Sequence, residues 1–87
     1  MDVQSTKARF RILRHIFEGK GDAKQSEITS LVRDPEVRVP QLGYLQEKGM
    51  IQQHKKINSG RGPNEITCWT ITPKGNEEYE RLKQVCL

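Results

Sequence analysis

The sequence predicts an α+β fold in which three helices precede a two-stranded β-hairpin and a fourth helix closes the chain. Two observations carry this prediction. Apolar residues recur at helical spacing in three segments before residue 50 and again after residue 73. Between these helical parts lie two extended runs, IQQHKKI and ITCWTIT, separated by the turn-rich loop NSGRGPNE. At 87 residues, we expect one domain spanning 1–87.

The first helix is predicted to run from Ser5 or Thr6, as the N-cap, to about Glu18, after a frayed segment 1–4. Its histidine, His15, has no second ligand nearby, so we expect neither a metal site nor a catalytic base there. The helix carries a wide apolar stripe for the core. The stripe consists of Ala8, Phe10, Ile12, Leu13, Ile16 and Phe17.

A second helix is predicted from about Ala23 to Val32, ending at Asp34-Pro35 because the residue before proline disfavours helical backbone. Its inner face is expected to include Ile28 and Leu31. Its outer face is expected to include Gln25.

The third helix lies within VRVPQLGYLQEKGMI, residues 37–51. We expect Leu42 and Leu45 to point inward and Pro40 to lie in the first turn, where proline is tolerated. Gly49 occupies a position suited to a left-handed C-cap. The remaining small, polar and aromatic residues are then predicted to point outward. They are Gln41, Gly43, Tyr44, Glu47 and Lys48.

The hairpin is predicted from strands 51–57 and 66–72, with Arg61 at its tip. The last helix, residues 74–87, begins at the N-cap Thr72 followed by Pro73. Gly75, Tyr79, Leu82 and Cys86 form its apolar stripe. This stripe either covers the core of its own subunit or pairs with a second copy, and the sequence leaves both possibilities open.

The excess positive charge is confined to one part of the chain. Between Arg38 and Arg61 five basic residues accompany one acidic residue, whereas the rest of the chain has ten of each. An asymmetry of this kind indicates a polyanionic partner.

Several classes of function are disfavoured. No apolar run is long enough to span a membrane and no leader is evident, so we expect a cytoplasmic protein, associated with a nucleoid or acting in a host cell. The cysteines, Cys68 and Cys86, match no zinc spacing and are expected to be reduced, with a Cys86–Cys86 bond between subunits as the alternative. No catalytic constellation or small-molecule site is evident, so we expect no enzyme, no metal and no cofactor.

Four local segments resemble winged helix-turn-helix DNA-binding proteins, near the MarR-like and PadR-like regulators of bacteria, archaea and their mobile elements. Gln25-Ser26-Glu27-Ile28 resembles the start of the second helix in that family, and Leu45–Ile51 the junction between its recognition helix and wing. Trp69–Thr72 is similar to the returning wing strand. Thr72-Pro73-Lys74-Gly75 is similar to the start of the last helix.

The resemblance implies a small transcriptional regulator, repressor-like and homodimeric, that binds double-stranded DNA sequence-specifically. The third helix would enter the major groove, and the wing would follow the backbone with Arg61 in the minor groove. The implied DNA-binding residues are Arg38, Gln41, Gly43, Tyr44, Lys48, Lys55, Lys56 and Arg61. The alternatives are a winged-helix protein-interaction module in a larger complex and, less favoured, an RNA-binding winged helix.

Three side chains keep a second interpretation. Tyr44 points outward only if the helical register is right, and otherwise packs inside. Lys55 and Lys56 bind phosphates or simply protect an exposed strand edge from aggregation. For Trp69 we favour a place in the core over a role as a stacking platform for bases.

Overall fold

The computed structural model describes residues 3–21, 23–58 and 64–86, and the side chains of all of these except Val3, Gln4, Asn58, Asn64 and Cys86. The predicted order of helices and hairpin is confirmed, with one added strand. The elements are α1 (Val3–Gly19), β1 (Ala23–Lys24), α2 (Gln25–Leu31), α3 (Pro35–Glu47), β2 (Ile51–Asn58), β3 (Asn64–Ile71) and α4 (Pro73–Cys86). Helix α1 thus begins before the Ser5 or Thr6 predicted as its N-cap.

The hairpin is part of a three-stranded antiparallel sheet in the order β1-β3-β2. The pairing of β2 with β3 runs from Ile51 opposite Ile71 to Asn58 opposite Asn64. The sequence predicts no strand here and places Ala23 and Lys24 in the second helix, whereas in the structure they form β1 and pair with Trp69 and Cys68. Two residues carry too little sequence pattern to indicate a strand, so only the partner strand defines it.

Helix α2 begins at Gln25 because Glu27 holds the preceding backbone. Its Oε1 accepts a hydrogen bond from the Lys24 N–H at 3.0 Å, which satisfies a donor exposed at the helix start. His15 Nε2 lies 3.1 Å from the same oxygen. Both hydrogen bonds stabilise the carboxylate, and the one from Lys24 contributes most to lowering the pKa of Glu27.

Apolar side chains from all four helices and the sheet form one core. Tyr79 of α4 stacks on Phe10 and Phe17 of α1 at centroid distances of 5.7 and 4.8 Å. The stripe of α4 therefore covers its own subunit's core at Tyr79 and Leu82, while the Cys86 side chain lies outside the described part. The fully buried large side chains are Ile12, Leu13, Ile16, Ile28, Leu45, Ile51, Leu82 and Cys68.

Trp69 is a core residue, as favoured from the sequence. It is buried, and its indole Nε1 donates to Gln25 Oε1 at 2.7 Å, so β3 is tied to the start of α2. Gln25 was predicted on the outer face and instead is half-buried over the tryptophan. Leu31, predicted on the inner face, is exposed. Gln25 turns inward because the buried indole N–H of Trp69 needs an acceptor, which the Gln25 side-chain oxygen supplies.

The predicted N-cap of the last helix is confirmed. Thr72 Oγ1 accepts from the Gly75 N–H at 3.1 Å and donates to the Gly49 carbonyl at 2.6 Å. One hydroxyl therefore satisfies the start of α4 and ties it to the junction between α3 and β2.

Candidate nucleic-acid interface

Helix α3 is defined at both ends by local hydrogen bonds. Asp34 is its N-cap, with a carboxylate oxygen 3.0 Å from the Glu36 nitrogen, and Pro35 occupies the first helical position. At the other end the Met50 N–H donates to the Leu45 carbonyl at 2.9 Å, and Gly49 has a φ of +72°. This is a Schellman motif, and it confirms the prediction for Gly49.

Helix α3 begins before the predicted third helix, so Pro40 lies deeper in it than expected. Pro40 was expected in the first turn, and that expectation is wrong because Pro40 lies inside the helix. An interior proline removes a backbone hydrogen bond and costs about 3 kcal/mol. Burial of Leu42 and Leu45 in the core offsets this cost. The sequence Asp34-Pro35-Glu36 has the pattern of an N-cap followed by proline, which indicates a helix start that puts Pro40 in the interior.

Solvent-exposed residues follow one another along α3 and form a surface that we call the outer face of α3. Gly43 lies in its middle, where a Cβ would meet no atom within 4 Å. Val39 is 58% exposed although it is apolar. The outer face consists of Pro35, Glu36, Val39, Pro40, Gly43, Gln46, Glu47 and Lys48. It carries two carboxylates and one ammonium group, so it has no excess of positive charge.

Gln41 is not part of the outer face, and its predicted exposure is wrong. It is only 9% exposed, and its Oε1 accepts from Arg9 Nε at 3.0 Å. A carboxamide held inside the protein supports α3 and is not free to read a base edge.

Tyr44 is half-buried against the core, so its predicted exposure is also wrong. The Arg9 guanidinium lies 4.3 Å from its ring centroid, and Lys48 Nζ lies 5.9 Å away. Cations stacked over an aromatic face are attracted by its negative quadrupole. The interpretation that Tyr44 packs inside, which the sequence left open, therefore holds.

Arg38 is engaged in holding the turn between α2 and α3. Its Nη1 donates to the carbonyl oxygens of Val32 at 3.0 Å and Arg33 at 3.2 Å. The Val32 carbonyl belongs to the C-cap of α2, where a helix end leaves carbonyls without intrahelical partners, and the Arg33 carbonyl lies in the turn that follows. Arg38 thus stabilises the turn between α2 and α3, a role that the sequence does not predict.

Arg9 of α1 is the centre of a polar cluster behind α3, a role that the sequence does not indicate. Besides Gln41 and Tyr44 it approaches Glu78 of α4, with Nη1 3.6 Å from Oε2. Glu78 is buried and accepts two hydrogen bonds from Arg81, at 2.7 and 2.9 Å. The Arg81 hydrogen bonds, with a weaker contribution from Arg9, hold the pKa of Glu78 below its usual value near 4.5.

The wing places two of its predicted contact residues in solvent. Lys55 and Lys56 are exposed and point to opposite faces of β2. Lys55 Nζ lies 3.5 Å from Glu65 Oε2 across the hairpin, where an exposed pair contributes little to stability. Arg61 lies outside the described residues.

Comparison with solved structures decides the fold. The chain is a winged helix. It superposes on the crystal structure of the circadian clock associated protein Pex from Anabaena with a TM-score of 0.73 and 17% identity, covering 93% of this chain and 75% of that one. It also superposes on a PadR-like transcription factor from Bacteroides fragilis with a TM-score of 0.68 and 17% identity, covering 94% and 82%. No protein-family model matches the sequence, and no curated protein matches it significantly.

Two features of the described part of this winged helix bear on its chemistry. The described residues contain no group of three or more His, Cys, Asp or Glu side chains that could hold a metal ion. Over the same part of the chain, no helix is both long and apolar enough to cross a membrane. Cys68 is a buried free thiol. The thiol of Cys86, on which the alternative of a bond between subunits depends, lies outside the described part.

Proposed function

We propose that this winged helix binds double-stranded DNA sequence-specifically and regulates transcription, and that it is not an enzyme. The observation that carries the proposal is the outer face of α3, a solvent-exposed helix surface whose middle residue, Gly43, has no side chain. An α-helix fits the major groove of B-DNA, where the base edges present a distinct pattern of donors and acceptors. The likeness to a solved PadR-like transcription factor supports this choice among the uses of the fold.

Base reading is assigned to residues of the outer face, because Gln41 and Tyr44 are committed to Arg9. Gln46 has a solvent-exposed carboxamide. Such a group can form two hydrogen bonds with adenine, one to N6 and one to N7. Val39 offers an exposed apolar group to a thymine methyl. Between them, Gly43 lets the helix backbone come close to the base pairs.

Affinity for the phosphate backbone must arise outside α3, because its outer face has no excess positive charge. Lys55 and Lys56 of the wing supply cations beyond the C-terminal end of the helix, and Lys48, the one cation of the outer face, lies next to them in the chain order of the elements. We also retain Arg61 of the wing loop as a minor-groove contact. Each phosphate that is neutralised releases condensed counterions, so binding should depend steeply on salt.

We further propose that the protein acts in the cytoplasm as a homodimer that represses transcription from a palindromic site. An isologous dimer presents two α3 helices related by a two-fold axis, which matches the symmetry of a palindrome. The exposed Val85 of α4 supports a contact between two copies at this helix. A repressor then needs only to occupy the promoter.

Selection of bound sequences from a random duplex pool tests this function. We expect a symmetric consensus, together with tight binding at low salt that weakens as salt is added. A protein that retains no duplex DNA even at about 50 mM salt contradicts the proposal. A consensus without symmetry contradicts the homodimer while leaving DNA binding intact.

A protein-interaction module is the second candidate function. It is favoured by one observation, that the outer face of α3 lacks excess positive charge and exposes the apolar Val39 beside Pro40. Capture of a stable protein partner that is lost in Val39→Asp, with no retention of duplex DNA, would support this function. Retention of duplex RNA in preference to duplex DNA would instead indicate the RNA-binding variant.

A further inference from the structure

A groove of about 310 Å³ lies between α1 and the turn that joins α2 to α3. Its floor is apolar, with Ala8, Val32 and Val37, and it opens to solvent. Three cationic side chains line it: Lys7, Arg11 and Arg33. The sequence indicates no role for them, because Arg33 is distant in the chain from Lys7 and Arg11 and all three lie outside the basic segment 38–61.

The cations of this groove have no carboxylate partner among the described residues. Asp34 also lines the groove, but its carboxylate is bonded to the Glu36 N–H as the N-cap of α3. Lys7 and Arg11 are four residues apart on one helix, an arrangement in which like charges repel. The fold therefore gains nothing from this cluster, which points to an anionic partner outside the protein.

The position of the groove relates it to α3. Arg33 and Asp34 directly precede α3, and Val37 belongs to its first helical turns. The wing begins with β2, which follows the other end of the same helix. The outer face of α3, which has no excess positive charge, is thus flanked by cations at both ends.

We propose that Lys7, Arg11 and Arg33 form a second phosphate-binding surface, which holds the DNA backbone at the N-terminal end of α3. This inference rests on the proposed DNA binding. A helix inserted in the major groove has a phosphate strand on each side, so cations at both ends of α3 grip the two strands that flank the groove. Arg38 acts as a positioning residue, because its hydrogen bonds to the carbonyls of Val32 and Arg33 fix the turn that carries the Arg33 side chain.

The test compares two triple variants with equal loss of charge. K7Q/R11Q/R33Q removes the groove cations, and K20Q/K74Q/K83Q removes exposed lysines elsewhere. Binding of each variant and of the native protein to a mixed-sequence duplex is measured by fluorescence anisotropy between about 50 and 200 mM NaCl. Each lost phosphate contact lowers the slope of log K against log salt by about 0.9. We therefore expect a slope reduced by about 2 to 3 in the groove variant and unchanged in the control.

The outcomes separate this inference from the proposed function. If the native protein binds and the groove variant keeps the native slope, the second phosphate surface is refuted while DNA binding stands. If both variants lose the same amount, the effect is one of net charge and the surface is again refuted. If the native protein itself does not bind, both proposals fail. The single variants R11Q and R33Q cover the case in which the triple variant misfolds. Each should lower the slope by about 0.9. A native-like thermal midpoint confirms that each variant is folded.

Discussion

The α-carbon of Gly75, in the first turn of α4, lies against the carbonyl oxygen of Met50. A Cβ built on Gly75 would overlap that oxygen and would come within 2.7 Å of Ile71 Cγ1. The same carbonyl accepts a hydrogen bond from the Thr72 N–H at 3.0 Å. The backbone of the junction between α3 and the wing is therefore in direct contact with the start of the last helix, and only glycine leaves room for it.

Gly75→Ala should destabilise the protein by about 3 kcal/mol, because the added methyl group meets backbone that cannot move away. Gly43→Ala is the matched control. It adds the same group in open space within a helix and should stabilise the fold by about 0.5–1 kcal/mol. Urea unfolding of both variants measures the two effects, and equal effects of the same sign would contradict this account. In addition, Gly43→Ala should weaken DNA binding if the backbone there approaches the groove.

The variants Gln41→Ala and Gln46→Ala should distinguish a residue that stabilises α3 from a residue that contacts DNA. Gln41 is buried on Arg9, so its truncation leaves a guanidinium N–H without its acceptor and should destabilise the fold by about 1–2 kcal/mol. Gln46 is exposed, so its loss should leave stability within about 0.5 kcal/mol of the native value. Loss of a bidentate base contact should weaken binding to the selected operator by about 1–3 kcal/mol. Thermal unfolding measures the stability of both variants, and fluorescence anisotropy measures their DNA binding. A loss of stability in Gln46→Ala but not in Gln41→Ala would contradict these roles.

The protein should lose stability at acid pH because the Glu78 carboxylate becomes protonated. Its folded pKa lies below the usual value near 4.5, so the unfolded chain binds a proton first as the pH drops. The stabilisation by Arg81 and Arg9 is therefore present above about pH 4.5 and is lost as the pH falls through the lowered folded pKa.

Glu78→Gln removes that titration. The variant should be less stable than the native protein near pH 7, and the difference should shrink towards pH 3, because the native carboxyl is then also neutral. Urea midpoints measured across this range provide the test. Glu27→Gln should show a weaker effect of the same sign, since the pKa of Glu27 is likewise lowered but its side chain is more exposed. A difference that stays constant with pH would show that Glu78 contributes by packing alone.

The wing lysines should contribute to affinity and little to stability. K55Q/K56Q should lower the salt slope of duplex binding by up to about 2, one phosphate contact each. Glu65→Gln removes the carboxylate 3.5 Å from Lys55 and should strengthen binding modestly at low salt. If K55Q/K56Q binds DNA normally but aggregates, the lysines serve to protect the strand edge, the interpretation that the sequence left open.

Short segments of sequence determine much of this fold. Thr72-Pro73 starts α4, Gly49 ends α3, and the two extended runs pair as a hairpin, because caps, left-handed glycines and turns are decided by the nearest few residues. Helical periodicity likewise identified the apolar stripe of α1, all of which is buried except Phe17, which is 41% exposed. These predictions hold because the physical causes are local.

Tertiary contacts decided what the sequence could not. Strand β1 exists only because β3 lies beside it, and Gln41 and Tyr44 turn inward because Arg9, more than thirty residues earlier, lies over both. A sequence pattern predicts that a polar side chain is exposed. Only the packing of α1, α3 and α4 supplies the hydrogen-bond partners that allow such a side chain to be buried. The sequence alone thus determined a winged helix with a basic wing, whereas its three-dimensional packing decided which face of α3 meets the solvent.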